Sequence, residues 1–378
     1  GAEERLLMRL LFFIHSLSGG GAERVTANLA NHWAAKGWHI TIVTLAPLSL
    51  DFYDLHPAVG RIALELAGES RNVLAGLWKN LHRVRALRQV LRQVQPDIAL
   101  AVMSTANVIL ALATRGLGNL CAIGAERTHP PHFPLGAQWE ALRRSTYGQL
   151  AGVVALTQES AEWLRQHTRA QRVPIIPNMA LWPLAVHAPR LIPETVRGAD
   201  RRILLAVGRL DKQKGFDWLL EAFSALARKY YDWNLAILGE GQERRALETQ
   251  VQAARLDGRV FLPGRARNVG EWYERADLYV MSSRFEGFPL TLAEAMAHGL
   301  PAVSFDCDTG PRDIIRPEVD GLLVPPGNVE ALTAALDRLM GDAALRVQFA
   351  VRALEARERF SIERIAGMWK ELFEEVRL

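Results

Sequence analysis

The chain has 378 residues, of which 49% are hydrophobic, enough apolar material for two cores of roughly 180 residues each. Its 45 Lys and Arg against 41 Asp and Glu leave a net charge of +4. That suits small anionic partners and lacks the large basic excess of a nucleic-acid binder. Its two cysteines, Cys121 and Cys307, exclude a disulfide-built scaffold and read as free core thiols in a reducing compartment.

In chain order, Arg9-Leu10-Leu11-Phe12-Phe13-Ile14 is a nearly continuous apolar run, as in a strand buried on both faces of a parallel sheet. A glycine-rich turn follows. Next come a predicted helix from about Ala22 to Lys36, stopped by Gly37, and a strand from His39 to Leu45. Further strands are predicted from Ile98 to Val102, from Cys121 to Gly124 and from Gly152 to Leu156, within a first domain of residues 1–180. Residues 181–200 hold three prolines and no clean period, and read as a linker. The second domain, residues 201–360, has predicted strands from Arg202 to Val207, Trp233 to Leu238, Val260 to Leu262, Leu278 to Met281 and Ala302 to Phe305. A last helix, from about Ile362 to Val376, occupies residues 361–378. Strands alternating with helices predict an α/β fold of parallel sheets. No signal-peptide pattern is read. The most apolar long run, from Asp97 to Ala113, is interrupted by Ser104, Thr105 and Asn107, short of the ~20 apolar residues of a membrane span.

Four motifs carry chemistry. In Arg284-Phe285-Glu286-Gly287-Phe288-Pro289-Leu290-Thr291-Leu292-Ala293-Glu294, two carboxylates sit eight positions apart, one in a Gly/Pro loop and one about a turn into a helix. Between them the Gly287-Phe288-Pro289-Leu290 loop and the helix N-terminus form a site for an anion. Upstream, the apolar run ending at Val207 leads into Gly208-Arg209, then Lys214-Gly215 and a helix start. Arg209 offers a planar fork of donors to phosphate oxygens and Lys214 a mobile point charge. Both would lie beyond a strand's C-terminal end, where open α/β sheets bind ligands. The other two motifs are Ser18-Gly19-Gly20-Gly21-Ala22-Glu23-Arg24 and Asp306-Cys307-Asp308-Thr309-Gly310-Pro311. A dinucleotide dehydrogenase is poorly supported, since no G-x-G-x-x-G opens a strand–helix unit with an acid about 20 residues on.

Together, and in this order, these motifs resemble the signature of retaining, nucleotide-sugar-dependent glycosyltransferases of the family-4 type, over nearly the whole chain. The resemblance implies the GT-B architecture: two Rossmann-like, doubly wound parallel-sheet domains facing a cleft, with the last helix returning to the first domain. It implies a hexosyltransferase that moves a hexose or N-acetylhexosamine from a nucleotide-diphosphate sugar, uridine favoured over guanosine, to a glycan acceptor in polysaccharide or glycoconjugate biosynthesis. Glu286 would face the donor sugar, Glu294 the ribose hydroxyls, and Arg209 and Lys214 the diphosphate. With those two cations in place no metal or other cofactor is expected, and Asp306-Cys307-Asp308 reads as coincidental rather than as a metal site. Gly20 and Gly21 would admit the donor's diphosphate or sugar, and Glu23 would face the acceptor. Either Arg127 or His129 would hold the sugar's 6-hydroxyl, and Arg265 would lie beside the base or in solvent. A sugar-nucleotide epimerase on a similar fold, or a non-catalytic nucleotide-sugar binding module, is the alternative.

Leu74, Leu77, Leu81, Val84, Leu87, Leu91 and Val94 recur at spacings of three and four, one apolar stripe of a long helix. The other faces carry Lys79, Arg85, Arg88 and Arg92, with no acid from Val73 to Gln95. This reads as a surface for anionic lipid or for a polyprenyl-pyrophosphate carrier of the acceptor. The expected location is cytoplasmic, peripheral at the inner face of the membrane.

Overall fold

The computed structural model describes residues 7–198 and 200–378. The first six residues of the expected first domain and Ala199 of the expected linker lie outside these residues. The chain forms two compact units, one reaching to Asn178 and completed by Ile365–Leu378, the other spanning Met179–Arg364.

The first unit holds six parallel strands: β1 (Arg9–Ile14), β2 (His39–Thr44), β3 (Gly60–Ala63), β4 (Ile98–Val102), β5 (Cys121–Ala125) and β6 (Gly152–Val154). Their order is β3-β2-β1-β4-β5-β6, the doubly wound order that reverses between β1 and β4. Leu10 to Ile14 and all of β4 are buried, as expected of central strands covered by helices on both faces. Helix α1 (Gly21–Ala35) starts directly from the glycine turn after β1, and Gly37 beyond its end takes φ +89°, which only glycine adopts without strain. Helix α2 (Val73–Val94) is capped by the Asn72 side chain, which accepts from the Ala75 N–H, and ends at Gln95, in the left-handed region before Pro96. The C-terminal helix Ile362–Arg377 sets Phe373 against Trp33 and Trp38 at ring distances of 5.4 and 6.4 Å.

The second unit repeats the plan with β7 (Arg202–Val207), β8 (Trp233–Leu238), β9 (Val260–Gly264), β10 (Leu278–Met281), β11 (Ala302–Phe305) and β12 (Gly321–Val324), ordered β12-β11-β10-β7-β8-β9. Here the order reverses between β7 and β10. Trp233, Phe223 and Phe305 anchor its core.

Two features depart from the sequence reading. Strands β3 and β12 were not expected; each has four residues and lies at a sheet edge, so neither needs a long apolar run. The segment read as a linker packs on the second unit. Asn234 donates to Val196 O, Trp272 donates to Leu191 O, and Asn268 both accepts from Leu191 N–H and donates to Leu191 O. These bonds satisfy the main chain that its prolines leave out of regular structure.

Candidate active site

In the second unit the two adjacent strands at the reversal, β7 and β10, each deliver one half of the expected donor site. After β7 the chain turns at Gly208. The Lys214 stem lies across Gly208, where a Cβ would stand 3.2 Å from it. Asp211 caps the short turn by accepting from the Lys214 N–H. After β10 the loop Ser282–Pro289 carries Glu286, and the helix Leu290–Ala297 begins behind it.

The two halves meet. Lys214 Nζ donates to Glu286 Oε1 at 2.7 Å, with their side chains 17% and 8% exposed. Ser283, which the sequence reading missed, donates from Oγ to the same oxygen at 2.7 Å. The Glu286 backbone is pinned on both sides, its N–H donating to Asp308 O and its carbonyl accepting from Thr309 N–H. The Asp306–Thr309 segment therefore braces the Glu286 loop through its main chain. Of its side chains, Asp306 accepts from Arg312 at 2.9 Å and Asp308 lies 3.7 Å from the same guanidinium. Burial and the nearby Glu286 charge push the Cys307 thiol up to about 12, so it stays protonated.

Glu294 is 2% exposed, on the first turns of the helix that follows the Glu286 loop. Phe288 is buried with its ring edge-on to Phe360, so this part of the loop is held by packing. Arg209 is exposed, with Asp211 3.5 Å away, and Arg265 is exposed beyond β9. Arg209 is thus at the same strand end as Lys214, at the surface beside Asp211.

In the first unit the glycine turn lies at the β1–β4 reversal. Tyr53 donates to Gly20 O and Phe52 packs against Gly19. The Glu23 carboxylate folds back over Gly20, where a Cβ would stand 2.1 Å from it. Burial holds that carboxyl above its ordinary value of 4.5, against the pull of its own N–H. A raised acid disfavours the native state once ionised. The penalty is absent below the ordinary pKa and complete above the raised one. Glu23→Gln is expected to raise Tm near pH 7.5 and leave it unchanged near pH 3.5, measured by calorimetry. An unchanged Tm at the higher pH would overturn the buried-carboxylate reading.

Arg127 and His129 part company. Arg127 donates to Asn178 and borders a small cavity with Phe12, Leu100 and Trp369, and burial lowers its guanidinium to about 10. His129 is buried and its Nδ1 meets Ser160 Oγ at 2.8 Å. Beneath both, Glu126 accepts from Ser104 Oγ and from Tyr147 Oη and lies 3.7 Å from Arg143, a buried cluster that fixes the end of β5. No pattern in the sequence marks that cluster, because the residues in contact lie 17 to 39 positions apart.

The expected carrier surface is only partly as read. Arg88 donates to the Ala113 and Arg115 carbonyls, and Leu87 and Leu91 are buried, whereas Leu74, Leu77 and Leu81 are exposed. The apolar stripe therefore splits into a packed half and an open half. Among the described residues, no helix is long and apolar enough to cross a membrane.

Two six-stranded doubly wound units, the second with Lys214 at one strand end paired to Glu286 at the next, define a protein of the GT-B class. The chain belongs to the glycosyltransferases: residues 19–180 match Glycosyltransferase Family 4 and residues 189–356 match Glycosyl transferases group 1. It is 28% identical to an uncharacterized glycosyltransferase of Haemophilus influenzae over 96% of this chain and 99% of that protein. It is 26% identical to a Campylobacter jejuni alpha-1,4-N-acetyl-D-galactosaminyltransferase, over 98% of this chain and 99% of the relative, whose name specifies a diNAcBac-PP-undecaprenol-linked glycan. Its fold matches GT-B structures, among them a sucrose-phosphate synthase from Thermosynechococcus elongatus (TM-score 0.79, 22% identity, 97% of this chain and 99% of that one). Another is the Anabaena protein HepE in complex with UDP (TM-score 0.78, 19% identity, 97% and 100% covered). The chain is a glycosyltransferase of glycan and polysaccharide biosynthesis.

Proposed function

We propose that the enzyme moves a hexose or N-acetylhexosamine from a nucleotide-diphosphate sugar, with UDP as the favoured nucleotide, to a lipid-linked glycan acceptor with retention of configuration and without a metal. The observation that carries this reading is the Lys214–Glu286 pair at 2.7 Å, at the reversal between β7 and β10. It joins a cation to the carboxylate that would face the sugar, and the buried Glu294 stands eight positions on, in the helix that follows the Glu286 loop. Lys214 and Arg209 would take up the charge of the departing diphosphate. The acceptor oxygen would bond to the anomeric carbon on the face that the phosphate leaves, and the phosphate oxygen would take its proton, while Glu286 supports the charge on the sugar. The pairing of Asp306 and Asp308 with Arg312 supports the metal-free reading. The uridine preference draws on HepE, solved with UDP and with UDP-glucose, and the acceptor on the Campylobacter relative.

Thermal shift against UDP, GDP and ADP, with and without EDTA, tests the donor. At 100 times Kd, binding adds about 2.7 kcal/mol, or roughly 5–10 °C for a unit of this size. The expected result is a shift with UDP that EDTA leaves unchanged. A shift abolished by EDTA would restore Asp306 and Asp308 as metal ligands, and no shift with any nucleotide would overturn the donor reading.

A further inference from the structure

Tyr279 is a buried phenol that the proposed chemistry leaves unused. It is the second residue of β10, the strand that leads into the Glu286 loop, and none of it is exposed. Side chains alternate along a strand. Leu278 and Val280 join the core on one face of the sheet. Tyr279 points to the other face, where the ring of Tyr273 meets it edge-on at 6.1 Å. Its hydroxyl donates to Thr291 Oγ1 at 3.0 Å. Burial and the charges of Glu286 and Glu294 push the phenol well above its ordinary range, against the pull of Thr291. It therefore stays protonated and keeps donating, in the field of both carboxylates expected to hold the donor.

Thr291 is the second residue of the helix Leu290–Ala297. Leu290 and Thr291 are half-buried and the six residues after them are buried, so this helix reaches the surface at its start. A threonine hydroxyl has one hydrogen to give. In Thr26, Thr146, Thr249 and Thr333 it goes to the carbonyl four residues back in the same helix, at 2.6–2.9 Å. Four residues back from Thr291 is Gly287, which lies in the loop and whose carbonyl accepts from Thr309 Oγ1 at 2.6 Å. The proton of Tyr279 fills one side of Thr291 Oγ1. The hydrogen of Thr291 itself is left to point away from Tyr279, out of the half-buried start of the helix. Pro289 stands at the N-cap and the first turn holds no acid, so no carboxylate of that turn competes with an anion for this hydrogen.

We propose that Thr291 donates its hydroxyl hydrogen to an oxygen of the donor's diphosphate, and that Tyr279 is the positioning residue that turns this hydrogen outward. The proposal rests on the nucleotide-diphosphate donor argued above. It gives the diphosphate a neutral partner besides Lys214, one that Glu286 does not hold.

The test is calorimetric titration of UDP into the full chain and its variants, with the Tm of each. Thr291→Val removes the hydroxyl and keeps the shape. It is expected to weaken UDP binding about tenfold, the worth of one hydrogen bond to a charged group, and to lower Tm, because the buried Tyr279 hydroxyl loses its partner. Tyr279→Phe should weaken UDP binding by a smaller factor, since Thr291 keeps its hydroxyl but not its orientation. In the double variant Y279F/T291V both partners are gone, so Tm should recover, while UDP affinity stays as low as in Thr291→Val alone. Thr291→Ser keeps the hydroxyl and should bind UDP as the parent does. Parent-like affinity in Thr291→Val, valine-like affinity in Thr291→Ser, or affinity that recovers together with Tm in the double variant would overturn the Thr291 contact. Parent-like affinity in Tyr279→Phe would overturn the positioning role. In each of these cases the parent still binds UDP and the donor reading stands. A parent that binds no nucleotide diphosphate would remove the donor reading, and this proposal with it.

Discussion

Replacing Glu286 by alanine is expected to lower glycosyl transfer by about 10³-fold while leaving nucleotide diphosphate binding intact or tighter. The asymmetry follows from the contacts. In the structure Lys214 Nζ is held by Glu286 Oε1, and Ser283 occupies the same oxygen. On the proposed function, a diphosphate would compete with that carboxylate for the ammonium group. Without Glu286 the ammonium is released to the phosphate, so product nucleotide should bind at least as well, while the developing charge on the sugar loses its support. Glu286→Gln keeps the shape and removes the charge, and should fall close to the alanine variant. Kinetics with donor and acceptor, together with calorimetric titration of UDP, separate the two effects. Near-normal turnover in the alanine variant would remove Glu286 from the mechanism. Loss of UDP binding alongside turnover would assign it to the scaffold instead.

Gly215→Ala is expected to destabilise the second unit by about 2–5 kcal/mol, combining the left-handed backbone penalty with overpacking. Gly215 sits at φ +62° between Lys214 and the helix Phe216–Leu226. A Cβ there would stand 2.0 Å from Ser282 O, which belongs to the other half of the site. The two backbones touch because glycine is between them, and Ser282 Oγ ties the seam by donating to Lys214 O. A side chain would wedge the Lys214 turn away from the Glu286 loop, so activity should fall with stability. Thermal unfolding gives the size of the effect. The contrasting variant is Gly21→Ala, whose Cβ meets nothing within 4 Å and which should leave Tm unchanged. An unchanged Tm for Gly215→Ala would mean the seam yields more easily than its geometry implies.

The central strands were legible because each is buried on both faces and reads as a nearly continuous apolar run. Strands β1, β4, β7, β8, β10 and β11 have the bounds that their sequence implies. Strands β3 and β12 were not, because an edge strand with one partner needs only four residues, and Gly60-Arg61-Ile62-Ala63 looks like loop. The stripe on α2 was visible as a period, but periodicity records which side chains share a face and not whether anything covers that face. Glu286 and Lys214 were each legible from their motifs. Their contact, between residues 72 positions apart, was not. Ser283 escaped notice because a small polar residue in a polar loop carries no signal until its hydroxyl has a partner. Arg127 and His129 could not be separated by sequence, since only the fold shows one bordering the cavity and the other turned to Ser160.

The first unit is discontinuous in the chain: it is left at Asn178 and rejoined at Ile365. On a ribosome, the six strands of that unit would emerge with Trp33 and Trp38 lacking the ring of Phe373, which arrives 340 residues after the first of them. The second unit, contiguous from Met179 to Arg364, is made whole before that ring appears. Birth order and completion order are therefore opposite, and the half that is synthesised first must wait for the segment beyond the second unit to close its aromatic core.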